Sequence, residues 1–187
     1  MSKTEKDALE AGGVWWEGEL FSGMPNWDAL MTMPQPELSP DEKKFINGPC
    51  EKLCEMLNDW EISHHRGDLP EEIWKFLKSE KFFAMIIPKK YGGLEFSSYA
   101  NAMVTAKIAS RNAVASSTVG VPNSLGPAEL LLHYGSEEQK NHYLPRLASG
   151  EEIPCFALTS TEAGSDASSI IDSGIICKGT WNGEEII

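Results

Sequence analysis

The stretch Ile153-Pro-Cys-Phe-Ala-Leu-Thr159, followed by Ser160-Thr-Glu-Ala-Gly-Ser-Asp166, marks where the chain changes its grammar. Before it, apolar residues recur at helical spacing. Here a strand-like run enters a loop of small and hydroxylated residues. A second strand is expected over Gly174-Ile-Ile-Cys-Lys-Gly-Thr-Trp181. Asn182-Gly183 is the strongest hairpin signal in the chain and favours a type I′ turn into Glu184-Glu-Ile-Ile187. About three strands with an open edge can scarcely bury a core of their own. The expectation is therefore a β-rich domain, over 153–187, cut off soon after it begins.

Working upstream, 39–152 reads as a helical domain. Ser39-Pro-Asp-Glu42 combines an N-cap serine, a proline at the first helical position and a capping-box glutamate. Gly48-Pro49 is expected to kink or restart that helix, and Leu53, Cys54, Leu57 and Trp60 then form one apolar stripe. A helix near Glu71 to Ser79 keeps Ile73, Trp74, Phe76 and Leu77 on one side. Phe82 to Ile87, ended by Pro88, reads as a buried extended link, with a turn at Tyr91-Gly92-Gly93. Ser97 to Ser110 has few charges, as expected of a helix buried on most sides. Further helices are expected over Ala113 to Val119, from Pro127 through His133, and from the capping box Ser136-Glu-Glu-Gln139 towards Ser149. The last should bend or restart at Pro145 and end at Gly150.

Residues 1–38 differ. Trp15, Trp16, Leu20, Phe21, Trp27 and Leu30 are scattered among glycines and prolines without periodicity, so an extended arm that lays aromatics on another surface is expected. Sixteen basic against twenty-eight acidic residues leave a formal charge of −12, which repels phosphate backbones and argues against nucleic acid as a partner. The N-terminus has no apolar run of a secretory signal. The uncharged stretch from Asn112 to Ala128 is interrupted by Gly120, Pro122, Gly126 and Pro127 and cannot span a membrane. Four cysteines without secretory features read as reduced cytosolic thiols.

The loop after Thr159 carries the chemistry. Successive amides in a tight bend form an anion-receptive concavity. Gly164 can take positive φ and admit a ligand to the backbone. Thr159 and Ser165 add hydroxyls, and Asp166 suits an Asx-type turn onto the loop amides. The same residue types also fit an ordinary polar connection. The wording narrows the choice. Thr159-Ser-Thr-Glu-Ala-Gly-Ser-Asp166 resembles the Thr-Glu-Pro-x-Ala-Gly-Ser-Asp signature of acyl-CoA dehydrogenases, although Ser160 and Thr161 stand where Glu-Pro is commonest. Tyr134-Gly-Ser-Glu-Glu-Gln-Lys140 with Tyr143-Leu-Pro-Arg-Leu-Ala-Ser-Gly150 resembles the block that precedes it. Ile87-Pro-Lys-Lys-Tyr-Gly-Gly-Leu94 resembles the family's Pro-x-x-Tyr-Gly-Gly element. The resemblance covers about Ser39 to Ile187, with wording similar to the long bacterial fatty-acid-degrading members.

The resemblance implies a mainly α N-terminal domain followed by the first strands of a β-barrel or sandwich domain. It implies non-covalent FAD and α,β-dehydrogenation of fatty acyl-CoA to the trans-2-enoyl thioester, with electrons passed to an electron-transfer flavoprotein. Phe156 would lie near the flavin. The Leu158 amide and the Thr159 amide and hydroxyl would face its pyrimidine edge, with Gly164 at the turn. Ser165 would serve both the cofactor phosphate and the pantetheine arm of the substrate. A homo-oligomer is expected at full length. The expected location is the cytoplasm, with a peripheral place at the inner membrane open to the full-length protein.

No catalytic residue is nominated. The family's glutamate base belongs beyond Ile187, so this piece alone is expected neither to turn over nor to hold FAD tightly. Val119, Val121 and Leu125 are candidates for the acyl-pocket wall. Cys50 and Cys54 with His64-His65 do not complete a zinc set; Cys54 should pack in the core and Cys50 near an exposed helix start. His133 and His142 read as surface or cap residues, and Lys89-Lys90 as a solvated turn. Two alternatives stand beside this: an acyl-CoA oxidase, which would share these motifs, and a non-enzymatic helical docking or scaffold module, which would have no reason to hold the loop from Thr159 to Asp166.

Overall fold

A computed structural model describes residues 15–124, 126–156, 159–164, 166, 169–181 and 183–186. The chain divides into two compact units at Glu37/Leu38. In the first, the described arm is folded rather than extended. A 3₁₀ segment Trp16–Ser22 and helix α1 (Trp27–Met31) bring the Trp16 and Trp27 rings to 5.1 Å. Trp16 Nε1 donates to the Asn26 carbonyl at 2.8 Å. Glycine and proline permit the reversal, and ring contact inside the segment stabilises it.

The second unit is helical. Helix α2 (Pro40–Phe45) starts at the expected Ser39 box and continues through a π-helical turn, Ile46–Cys50, into α3 (Glu51–Met56). Pro49 therefore neither kinks nor restarts the helix. The backbone widens by one residue around the missing amide, and Lys107 Nζ donates to the Ile46 carbonyl at 3.1 Å. The break falls instead at Leu57, whose ψ of 118° is extended. A new turn, with π-helical Glu61–Arg66, then follows. This rotates Trp60 off the expected stripe: it is 62% exposed and stacks on His64 at 4.1 Å. The cysteines are also reversed. Cys50 lies in mid-helix and is buried, whereas Cys54 is half-buried.

Helix α4 (Glu71–Ser79) buries Ile73 and Leu77, with Trp74 and Phe76 half-buried beside them. The link after it is buried as expected but not extended. Phe82–Ala84 form a 3₁₀ turn, and residues 94–96 come back beside it: Leu94 N donates to Ala84 O at 2.9 Å and Phe96 N to Met85 O at 2.7 Å. Helix α5 (Ser98–Ala109) buries only the stripe Ala100, Val104 and Ile108. Ala102, Met103 and Ala106 on other faces are exposed, so it is less buried than its composition suggests. Helices α6 (Ala113–Gly120), α7 (Pro127–Tyr134) and α8 (Glu137–Ser149) follow, and α8 runs through Pro145 without restarting.

Two buried clusters meet at the link. Phe82, Phe83 and Met85 join a cluster with Leu53, Leu57, Ile73, Leu77, Val104 and Val119. Ala84 and Ile87 join Ala128, Leu144 and Leu147. Each fully buried Leu, Ile or Phe contributes ~1.5–3 kcal/mol, which makes this link the joint of the helical part. Beyond α8, residues 153–156 and 171–178 form no ladder among the described residues. Strands β1 (Gly179–Trp181) and β2 (Glu184–Ile186) pair antiparallel, with Trp181 opposite Glu184. The hairpin thus forms at the expected turn, but β1 is shorter than expected. Extended backbone becomes a strand only where a neighbour satisfies its amides. No helix of the described residues is long and apolar enough to cross a membrane.

Candidate functional site

In the bend at 159–164, Thr159, Thr161, Glu162 and Gly164 are exposed, and Ser160 and Ala163 are half-buried. Its organiser is a residue the sequence reading passed over. Ser160 Oγ accepts the amides of Glu162 at 3.3 Å and Ala163 at 3.2 Å, and the Ser160 carbonyl accepts the Gly164 amide at 3.3 Å. This is a serine turn. The carboxylate Oδ2 of Asp166 accepts from Ser169 Oγ at 2.5 Å; Ser165, Ala167 and Ser168, beside it, lie outside the described residues. A hydroxyl one residue into the bend reaches the amides two and three ahead. The signal was visible in the same place where the wording departs from Glu-Pro.

Turning those amides inward leaves donors elsewhere. Among the described residues no hydrogen bond engages Thr159, which is exposed. Phe156 is 53% exposed. Gly164 has φ 52°, and a Cβ there would meet nothing within 4 Å. An aromatic face, an unengaged amide and hydroxyl, and an open glycine therefore lie along one short run. Leu158 and Ser165 lie outside the described residues.

A second feature is a groove of about 440 Å³ between α5 and α6, lined by Ala102, Thr105, Ser116, Gly120, Val121 and Ser124. Gly120 is helical with ordinary φ, and an added Cβ would touch only Thr105 Cγ2, at 3.6 Å. A glycine costs a helix roughly 0.5–1 kcal/mol relative to alanine. The fold does not need glycine here, and its missing side chain keeps the groove open. Of the expected wall residues, Val121 lines this groove. Val119 is fully buried in the first cluster instead, and Leu125 lies outside the described residues.

The other candidates are plain. His65 Nδ1 lies 2.9 Å from Glu61 and His133 Nε2 lies 2.9 Å from Glu129, both on the surface. Lys89 pairs with Asp41 at 3.4 Å, and Lys90 Nζ lies 4.6 Å from the Tyr91 ring centroid. Burial pushes the Cys50 thiol up to about 12, far from a nucleophile's range. The described residues hold no group of three or more His, Cys, Asp or Glu placed for a metal.

Comparison with known proteins gives one consistent match. The model of the "Acyl-CoA dehydrogenase, N-terminal domain" family matches residues 48–151. A Bacillus subtilis (strain 168) protein named Probable acyl-CoA dehydrogenase is 32% identical over 172 residues, covering 89% of this chain and 27% of that protein. The very long-chain specific acyl-CoA dehydrogenase of Rattus norvegicus mitochondria is 30% identical over 159 residues, covering 83% and 24%. The chain thus spans about a quarter of the length of these relatives. Among solved structures, butyryl-CoA dehydrogenase from Megasphaera elsdenii superimposes with a TM-score of 0.62 at 24% identity, over 72% of this chain and 36% of that one.

Proposed function

The chain belongs to the acyl-CoA dehydrogenase family, whose N-terminal domain it matches over 48–151, and on that premise we propose that it is the N-terminal part of an FAD-dependent enzyme converting fatty acyl-CoA to trans-2-enoyl-CoA. Residues 39–152 are its helical domain, 153–187 open the β domain, and 1–38 form an arm. The observation that carries this reading is the exposed run in which Phe156 and the unengaged Thr159 precede an open Gly164.

These residues suit the cofactor's chemistry. FAD would supply the acceptor for hydride from the β-carbon. Phe156 would cover the ring. The amides of Leu158 and Thr159, with the Thr159 hydroxyl, would donate to the pyrimidine edge, where negative charge develops on reduction and fixed dipoles stabilise it. Gly164 lets the dinucleotide approach the backbone, and Ser165 would contact its phosphate and the pantetheine arm. The Gly120 groove is an apt bed for the acyl chain. No acid in the chain is assigned as the base for the α-proton. An electron-transfer flavoprotein would take the electrons, and the full-length protein would be a homo-oligomer, cytoplasmic or peripheral at the inner membrane.

The test is to express the whole reading frame that carries this chain. A yellow protein bleached without oxygen by palmitoyl-CoA is expected; a colourless one overturns the proposal. Peroxide formed in air at the rate of substrate loss would assign the oxidase chemistry instead.

A further inference from the structure

We propose that Asn123 is a positioning residue for the groove between α5 and α6, one that fixes the bore of the groove before any ligand arrives. Asn123 lies just past α6 and is 2% exposed. Its Nδ2 donates to the carbonyls of Phe82 at 2.6 Å and Val119 at 2.9 Å. Its Oδ1 accepts the Ile86 amide at 3.3 Å, and its own carbonyl accepts Asn101 Nδ2 from α5 at 2.8 Å. The 82–86 link, α5 and the end of α6 are therefore tied through one side chain and its backbone.

The chemistry of the tie is specific. Two donors and one acceptor, at that size, are what a primary amide offers; a carboxylate cannot donate to two carbonyls, and an alkyl side chain can do neither. Leaving the Phe82 and Val119 carbonyls without donors in a buried place is costly. Asn123 itself spends its side-chain hydrogens on backbone groups, so it acts on the groove through others. Asn101 lines the groove from α5, and Gly120, Val121 and Ser124 lie on the turn that Asn123 holds. Ser116 Oγ, donating to the Thr105 carbonyl at 3.0 Å, makes a second tie across the same two helices. With both ties in place the spacing of α5 and α6 is set by hydrogen bonds rather than by apolar filling. A bed of that kind accepts a long apolar chain without having to be pushed open.

The role rests on the acyl-CoA reading above, and the experiment separates the two. In the full reading frame with FAD, kcat/KM is measured for palmitoyl-CoA and butyryl-CoA with wild type, Asn123→Ala, Asn123→Asp and Asn101→Ala, alongside melting temperature. The palmitoyl-to-butyryl ratio is expected to fall about fivefold or more in both Asn123 variants. It should fall by a smaller factor in Asn101→Ala, which removes a single tie. A purely structural residue would lower the melting temperature and both substrates together, leaving the ratio in place; that result overturns the proposal. If the Asn123 variants do not fold, the ratio in Asn101→Ala decides. Oxidation of neither thioester by wild type overturns the acyl-CoA reading, and the positioning role with it.

Discussion

Glu42 is 5% exposed, and its carboxylate accepts the amides of Ser39 and Ser97, each at 2.7 Å. Burial alone would raise its pKa, but the two amides outweigh burial and hold it at about 2, against an ordinary 4.5. A group whose folded pKa is depressed stabilises above its unfolded pKa and loses that contribution as pH falls through the folded one. The window here runs from 4.5 down to about 2, and the contribution lost across it is about 3 kcal/mol. Circular-dichroism melts should show wild type losing stability through that window and Glu42→Gln losing less. At neutral pH the Gln variant should already be about 1–3 kcal/mol less stable, since one of the two accepting oxygens is replaced by an amide NH2, which donates. Half of this clamp was legible, since Ser39 and Glu42 have capping-box spacing. The other half comes from Ser97, 55 residues away, for which no local pattern exists. Gly93 is a second case. Its Cβ would lie 2.0 Å from the Ile87 carbonyl oxygen, so Gly93→Ala should cost roughly 1–3 kcal/mol or more in urea unfolding. The Tyr-Gly-Gly wording marked a turn; only packing shows that its second glycine is a close approach. In the bend, Ser160→Ala should loosen the turn and lower FAD retention by the full-length protein, with the helical melting temperature unchanged.

Among the elements, the helices were legible from apolar periodicity, as at α4, or from a capping box, as at α8. The misreading at Pro49 has a definite cause. Proline and glycine signal that a helix is under stress, not how the stress is relieved. At Pro49 the π turn absorbs it, and Lys107 from α5 donates to the carbonyl of Ile46, the first residue of that turn. That continuity puts Cys50 inside the bundle, with Sγ 4.0 Å from the Val104 carbonyl. Thiol labelling tests this directly. Exposed Cys155 and Cys177 should react with Ellman's reagent at once at mild alkaline pH. Cys50, buried and with its pKa raised to about 12, should react only in denaturant. Prompt labelling of Cys50 in the folded chain would place the break back at Pro49.

On the scale of the whole molecule, the helical part is two buried clusters joined at residues 82–87, and the bend and the groove both lie outside them. The bend contributes one edge of the proposed cofactor site, so this chain alone should emerge colourless from gel filtration after incubation with FAD, whereas the full reading frame should stay yellow; a yellow isolated chain would show that the bend suffices. The sequence by itself determined the family, the capping boxes, the hairpin turn and the run from Phe156 to Asp166, because each is written in residues close together in the chain. Only the tertiary structure decided that Glu42 clamps a second helix, that Val119 faces the core while Val121 faces the groove, and that Gly120 has room it does not use. Those facts depend on which surfaces meet across tens of residues, and hydrophobic spacing specifies that a face is buried without specifying against what.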